Sequence, residues 1–129
     1  MKIKDIYNFA VGIMSKNNIE ANDEEYRERT PYLAAIFCCN TAKIDRDLRE
    51  SHGLPNQNHF NEVCLKMDED FPLDSRFASL AAHYLASMLV MDYNDSISEK
   101  LFDIFINDMS KVLSEIPAKK QKIINVYPY

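Results

Sequence analysis

The stretch that most constrains this chain is RFASLAAHYLASMLVMDYN, Arg76 to Asn94. Between Phe77 and Met91 the polar exceptions are Ser79, His83 and Ser87. A helix on the surface of a globular protein carries one apolar stripe and one wet face. A helix that is apolar on most sides must be covered by several neighbours, which predicts a central position in a bundle. Asp74 or Ser75 is the predicted cap, and the helix is expected to run to about Asp92. One face is bulky (Phe77, Leu80, Tyr84, Met88, Met91) and another is small (Ala78, Ala82, Ala86, with Ser79 nearby). Small faces let two helix axes come close. The run is shorter than the roughly 20 residues a membrane span needs, and it contains His83.

The rest of the chain supplies covering helices. Ile3, Ile6, Tyr7, Ala10, Ile13 and Met14 recur at intervals of three and four, so residues 3–16 are predicted to form a helix with one buried stripe. KNNIEAND breaks that pattern, and Asn22 or Asp23 can cap the next helix. That second segment carries Pro31, which lacks an amide donor and disfavours helix at Thr30, so a kink or a fresh start is expected there. Beyond it, Leu33, Ile36, Phe37, Asn40, Ile44 and Leu48 keep helical spacing, and Gly53 fits a C-terminal stop. From Leu54 to Asp74 the chain changes character, and Phe60, Val63, Leu65 and Met67 suggest a short strand or an extended arm over the helices.

After the turn YNDS, Asn94 can take the left-handed conformation, and Ser96 with Glu99 makes a capping box. Ile97, Leu101, Ile104, Phe105, Met109, Val112, Leu113 and Ile116 then mark an amphipathic helix that Pro117 ends. The expected fold is mainly α, a single-domain bundle of four to five helices over residues 1–116. It carries a short extended or β arm in the 54–74 loop, and residues 117–129 form a basic, β-prone tail. With 129 residues, two glycines and five prolines, one helical domain is what the length and composition allow.

Charge is distributed unevenly. Up to Ile116 there are twelve basic and twenty acidic residues, a net −8, whereas the last thirteen residues hold Lys119, Lys120 and Lys122 and no acid. An acidic body repels a phosphate backbone, which argues against general nucleic-acid binding. The tail KKQKIINVYPY has two readings. It packs its aromatics on its own body, or it serves as a partner or oligomer interface through Lys119, Lys120, Lys122, Ile123, Ile124, Val126, Tyr127 and Tyr129. The opening MKIKDIYNFAVGIM is broken by Lys4, Asp5 and Asn8 and does not read as a secretory leader, so a cytoplasmic protein is expected.

Candidate chemistry is sparse. His52, His59 and Cys64, with Cys38 or Cys39, are zinc-ligand types, but His-x6-His-x4-Cys is not the spacing of a closed zinc module. Adjacent cysteines on a helix point about 100° apart. The alternative is that the cysteines are small core residues and the histidines lie in a polar loop. Cys38 or Cys64 with His83 would be the pair for nucleophilic chemistry, without a supporting local motif. Asp68, Glu69, Asp70 and Asp74 lack the alternating pattern and glycine of a calcium loop. No catalytic, cofactor-binding or metal-ligating residue is therefore assigned, and no cofactor is expected.

The whole plan does carry a resemblance. IKDIYNFAVGIM, then YRERTPYLAAIFCCN, a variable loop, DEDFPLDSRFASLAAHYLASMLVMDYNDSISEKLFDIFINDM and a final INVY follow one another. This order resembles the small head–tail connector (adaptor) proteins of tailed phages and Gram-positive prophages. The resembling elements are Phe71–Pro72, the Ala-rich Ala81–Asn94 and the amphipathic Ser96–Ile116. The resemblance implies a non-enzymatic virion assembly protein that forms a homo-oligomeric ring under the portal, extends the DNA channel and docks neck or tail proteins. It implies no active-site residues, no sequence-specific nucleic-acid contact and no membrane partner. The Asn-rich loop, Asn56–Asn61, and the three cysteines depart from the family pattern. Two other readings compete. One is a small cytoplasmic helical regulator that binds a protein, or a ligand between Met88, Met91, Phe105 and Met109; the other is a metal-dependent enzyme using the His/Cys set.

Overall fold

The fold is built around the over-apolar helix. In the computed structural model, which describes residues 1–19, 22–55 and 62–116, four α-helices occur: α1 (Ile3–Lys16), α2 (Asp23–Ser51), α3 (Ala78–Val90) and α4 (Asp95–Leu113). A 3-10 turn, Ser75–Phe77, leads into α3. Nine of the thirteen α3 residues are buried, and the helix packs against α1, α2 and α4. The expected mainly helical bundle is what forms. The small face works as anticipated, since Ala82 and Ala86 are fully buried. The closest link lies between α3 and α4, where Ser87 Oγ donates to the Ser98 carbonyl and Ser98 Oγ donates to the Ser87 carbonyl, each at 2.9 Å.

Several boundaries differ from the sequence expectation. α2 runs through Pro31 as one helix, with no fresh start. Proline in a helix interior costs about 3 kcal/mol. Here the turns on both sides are anchored by burial of Tyr26, Thr30, Ala34, Phe37 and Cys38, and burying one large apolar side chain contributes about 2 kcal/mol. The buried stripe of α2 is also rotated from the one expected. Ile36 and Asn40 face solvent, while Thr30, Thr41 and Asp45 point inward. A count of apolar positions misses three polar residues that are each buried.

Asn94 does not adopt a left-handed conformation; it is extended at φ −158° and caps α4 by accepting from the Ile97 amide at 3.1 Å. It thus takes the role expected of Ser96, and α4 starts two residues earlier than predicted. The left-handed residue is Asn18 (φ 61°), which ends α1: its amide donates to the Ser15 carbonyl and that of Ile19 to Met14. Gly53 (φ 69°) ends α2 in the same way, with its own amide on Glu50 and that of Leu54 on Arg49.

The arm of the 54–74 loop forms no strand among the described residues; a single bridge joins Lys2 and Asp70. Phe60 lies outside the described residues. Val63, Leu65 and Met67 do not share one face: Val63 is exposed, Leu65 is buried and Met67 is half-buried. The reason is that the arm's hydrogen bonds go to helices and not to a neighbouring strand. The Leu65 amide donates to the Pro31 carbonyl, and the Glu69 and Met67 carbonyls accept from the Ile3 and Lys4 amides at 3.0 Å. The arm thereby satisfies two of the donors that every helix N-terminus leaves open.

Aromatic rings close the core. Phe37 of α2 lies 5.7 Å from Tyr84, 6.1 Å from Phe105 and 6.4 Å from Phe71 of the arm. Asp45 ties the arm's far end to α2: one carboxylate oxygen accepts from the Asp74 amide at 2.9 Å and the other from Arg49 Nε at 3.0 Å. Asp45→Ala is expected to lower unfolding free energy by about 3 kcal/mol, because a half-buried amide and a guanidinium lose their acceptor together. Urea denaturation checks this; a change under about 0.5 kcal/mol contradicts it.

Between α1 and α2, Tyr7 Oη donates to Asp23 at 2.7 Å and Arg27 Nε to the other oxygen at 2.9 Å. These bonds, Tyr7 first, hold the Asp23 carboxyl below its ordinary range. The depressed group contributes stability above the unfolded carboxylate pKa, and that contribution is lost as pH falls through the folded value. Tyr7→Phe is expected to raise the Asp23 pKa, read directly by carboxyl NMR titration.

Candidate functional site

The residues singled out for chemistry do not converge. Cys38 is fully buried inside α2, Cys39 faces outward with Sγ 3.5 Å from the Glu62 carbonyl, and Cys64 lies half-buried on the arm. His52 caps the end of α2 and His59 lies outside the described residues. No group of three or more His, Cys, Asp and Glu side chains able to hold a metal occurs among the described residues. His83 sits on α3 with its ring 6.3 Å from that of Phe9. Its Nδ1 is 2.9 Å from the Ser79 carbonyl, which only accepts, so Nδ1 carries the proton.

The acid cluster has a structural use. Asp68 approaches Lys4 at 3.8 Å, Glu69 accepts from the Lys66 amide, and Asp74 accepts from the Arg76 amide at the start of the 3-10 turn. These contacts hold the arm against the start of α1 and lead the chain into α3. The tail residues Lys119, Lys120, Lys122, Ile123, Ile124, Val126, Tyr127 and Tyr129 lie outside the described residues.

What the structure does assemble are surfaces. An internal apolar cavity between Ile3, Thr30, Phe37, Phe71 and Tyr84 has about 10 Å³ of free space, room for about one water. Between these side chains there is no room for a larger ligand. Outside, the described residues form two open grooves. The first, of about 560 Å³, is lined by Glu28, Arg29, Tyr32 and Leu33 of α2. Tyr32 is 59% exposed, and Ile36, one turn on, is 47% exposed. The arm runs beside this face, from Glu62 at Cys39 to Leu65 at Pro31, and its Val63 is 83% exposed.

Electrostatics at the rim is set by Arg29. Its Nη2 donates to the Met88 carbonyl at 3.2 Å, and Nη1 lies 3.8 Å from Glu25 and 3.9 Å from Asp92. Glu25 also accepts from Tyr93 Oη, and this bond pushes the phenol up. The rim is therefore an organised set of alternating charges around an apolar floor.

The second groove, of about 320 Å³, lies between α3 and α4 and is lined by Met88, Met91, Ser98, Glu99, Phe102 and Asp103. Of the four residues expected to line a ligand pocket, Met88 and Met91 line it, whereas Phe105 and Met109 do not. Phe105 is turned into the aromatic core, 5.5 Å from Tyr84, and Phe102 takes its place at the surface. The signal for this was present: Phe102 and Ile106 are apolar residues beyond those the α4 stripe needs.

Compared with known proteins, the chain matches no protein-family model, no curated protein and no solved structure. No helix among the described residues is long and apolar enough to cross a membrane.

Cysteine reactivity provides a check on this placement. Burial, with the neighbouring Cys39 and Asp45 adding to it, pushes the Cys38 thiol up to about 12. At pH 8 only about one Cys38 in ten thousand is then thiolate. Iodoacetamide is expected to label Cys39 within minutes while Cys38 stays unmodified until the protein unfolds, as read by peptide mass spectrometry.

Proposed function

We propose that this chain is a non-enzymatic virion assembly protein, a head–tail connector that joins a portal to neck or tail proteins and continues the DNA channel. The observation that carries the reading is the helix order. A helix apolar on nearly all sides is sheathed by α1, α2 and α4, and an amphipathic helix follows it after a tight turn. That is the order on which the sequence resemblance rests. The outward-facing Phe9, Tyr32, Ile36 and Val63 add support, because a subunit of a ring needs apolar side chains left over after its own core is filled.

In this reading the α2 groove, with Tyr32 and Leu33 on its floor, Glu28 and Arg29 at its rim and the exposed Ile36 one turn on from Tyr32, receives a second copy of the chain. Aromatic anchors ringed by mixed charges suit such a contact. The net acidic body suits a channel along which DNA slides without sticking. The partners are then the portal, the neck or tail proteins and further copies of the chain, located in the host cytoplasm and later in the particle.

The test is native mass spectrometry of the purified chain, alone at high concentration and with the portal encoded beside it. Self-association or portal binding is expected, and Tyr32→Asp with Ile36→Asp should weaken it at least about tenfold while leaving the melting temperature within a few degrees. If the chain binds neither the portal nor its own copies, the connector reading is wrong. Neighbouring genes of ordinary metabolism would count against it as well.

A further inference from the structure

We propose that the groove between α3 and α4 is the docking site for a cationic amphipathic helix of a partner protein. Its floor is Met88, Met91 and Phe102, with Ile106 one helical turn beyond Phe102. Met91 and Ile106 are 43% and 45% exposed, so both ends of this floor meet water. The face is separate from the core side of α4, where Leu101 and Phe105 are buried. Methionine is unbranched and polarizable, which lets such a floor mould itself to the side chains of an incoming helix.

The charge beside this floor is of one sign. Glu99 and Asp103 line the groove one turn apart on α4, and neither has an ion-pair partner among the described residues. Like charges at that spacing repel each other, and α4 carries both. Lys100, next to Glu99 in sequence, is turned toward α1, where its Nζ lies 3.5 Å from Asn17 Oδ1. From α2, Arg29 reaches the Met88 carbonyl, but its Nη1 is already shared between Glu25 and Asp92. An apolar floor edged by uncompensated carboxylates complements an apolar stripe flanked by lysine or arginine.

The form of the occupant follows from the walls. Both are helices, whose inner backbone groups are bonded within each helix. An extended segment laid there would bury N–H and C=O groups without partners, whereas a helix arrives with its own already satisfied. A second copy presenting the same face would set Glu99 and Asp103 against their own equivalents, and like-charge repulsion opposes that pairing. The site uses no residue of the α2 groove, so the inference stands whether or not the chain is a connector.

The test uses the full chain and a synthetic peptide of about 14 residues, leucine and lysine patterned as an amphipathic helix, with a glutamate-for-lysine version as control. Isothermal titration is expected to give saturable binding of the lysine peptide with a micromolar Kd. Glu99→Lys together with Asp103→Lys should weaken it at least about tenfold. The same change of net charge on the arm, Glu62→Lys with Asp70→Lys, should leave Kd within about twofold, because distant exposed charges are screened. In parallel, the methyl NMR signals of Met88 and Met91 are expected to shift as the peptide binds. Equal weakening by the two pairs of substitutions means attraction without the groove and overturns the proposal. Equal binding of the glutamate peptide, no saturable binding, or Met88 and Met91 signals that stay in place overturn it as well. So does dimerisation of the chain alone that Glu99→Lys with Asp103→Lys abolishes, since a second copy then fills the groove.

Discussion

The reciprocal hydrogen bonds between Ser87 and Ser98 set the spacing on which the rest of the bundle depends. Each hydroxyl donates to the other residue's carbonyl, so the two backbones must lie close and in one register. The fully buried Ala82 and Ala86 give α3 a second, small face on which a neighbouring helix can come close. With α3 and α4 locked in this way, Tyr84 and Phe105 meet at 5.5 Å and Phe37 of α2 closes over both. A central helix with almost no polar face has no stable alternative to being covered on all sides. The one polar side chain it buries, Ser87, is paired with Ser98 of α4, which offsets the usual cost of burying it.

A second constraint acts through the irregular arm. Its backbone gives carbonyls to the open amides of α1 and an amide to Pro31 of α2, while Asp45 accepts from its last residue before the 3-10 turn. An arm without a strand partner is thus pinned by helix ends and one buried carboxylate. This pinning explains why Pro31 does not break α2. The turn that contains it is held by contacts outside the helix, and those outweigh the lost internal bond.

The outer surface follows from what the core leaves over. Tyr32 and Ile36 are displaced outward because Thr30, Thr41 and Asp45 occupy the inward positions of α2. Phe102 and Ile106 are displaced because Leu101 and Phe105 fill the inward face of α4. Among the described residues two apolar surfaces bordered by charge result, one on α2 and one between α3 and α4.

The helical class and the central place of residues 78–90 were legible in the sequence, because the 3.6-residue period and a run without polar residues allow few other arrangements; the number was left at four to five, and the unbroken α2 makes it four among the described residues. The stop at Gly53 was legible for the same local reason: a left-handed residue is needed there and glycine adopts it freely. The inward face of α2 was not legible, since burial of Thr30, Thr41 and Asp45 depends on partners such as the Asp74 amide, 29 residues away. Nor was the choice between Phe102 and Phe105, two apolar neighbours three residues apart. Local spacing determines that a face exists, whereas which polar group finds a distant partner, and which ring is left outside, depends on how four helices fill one volume.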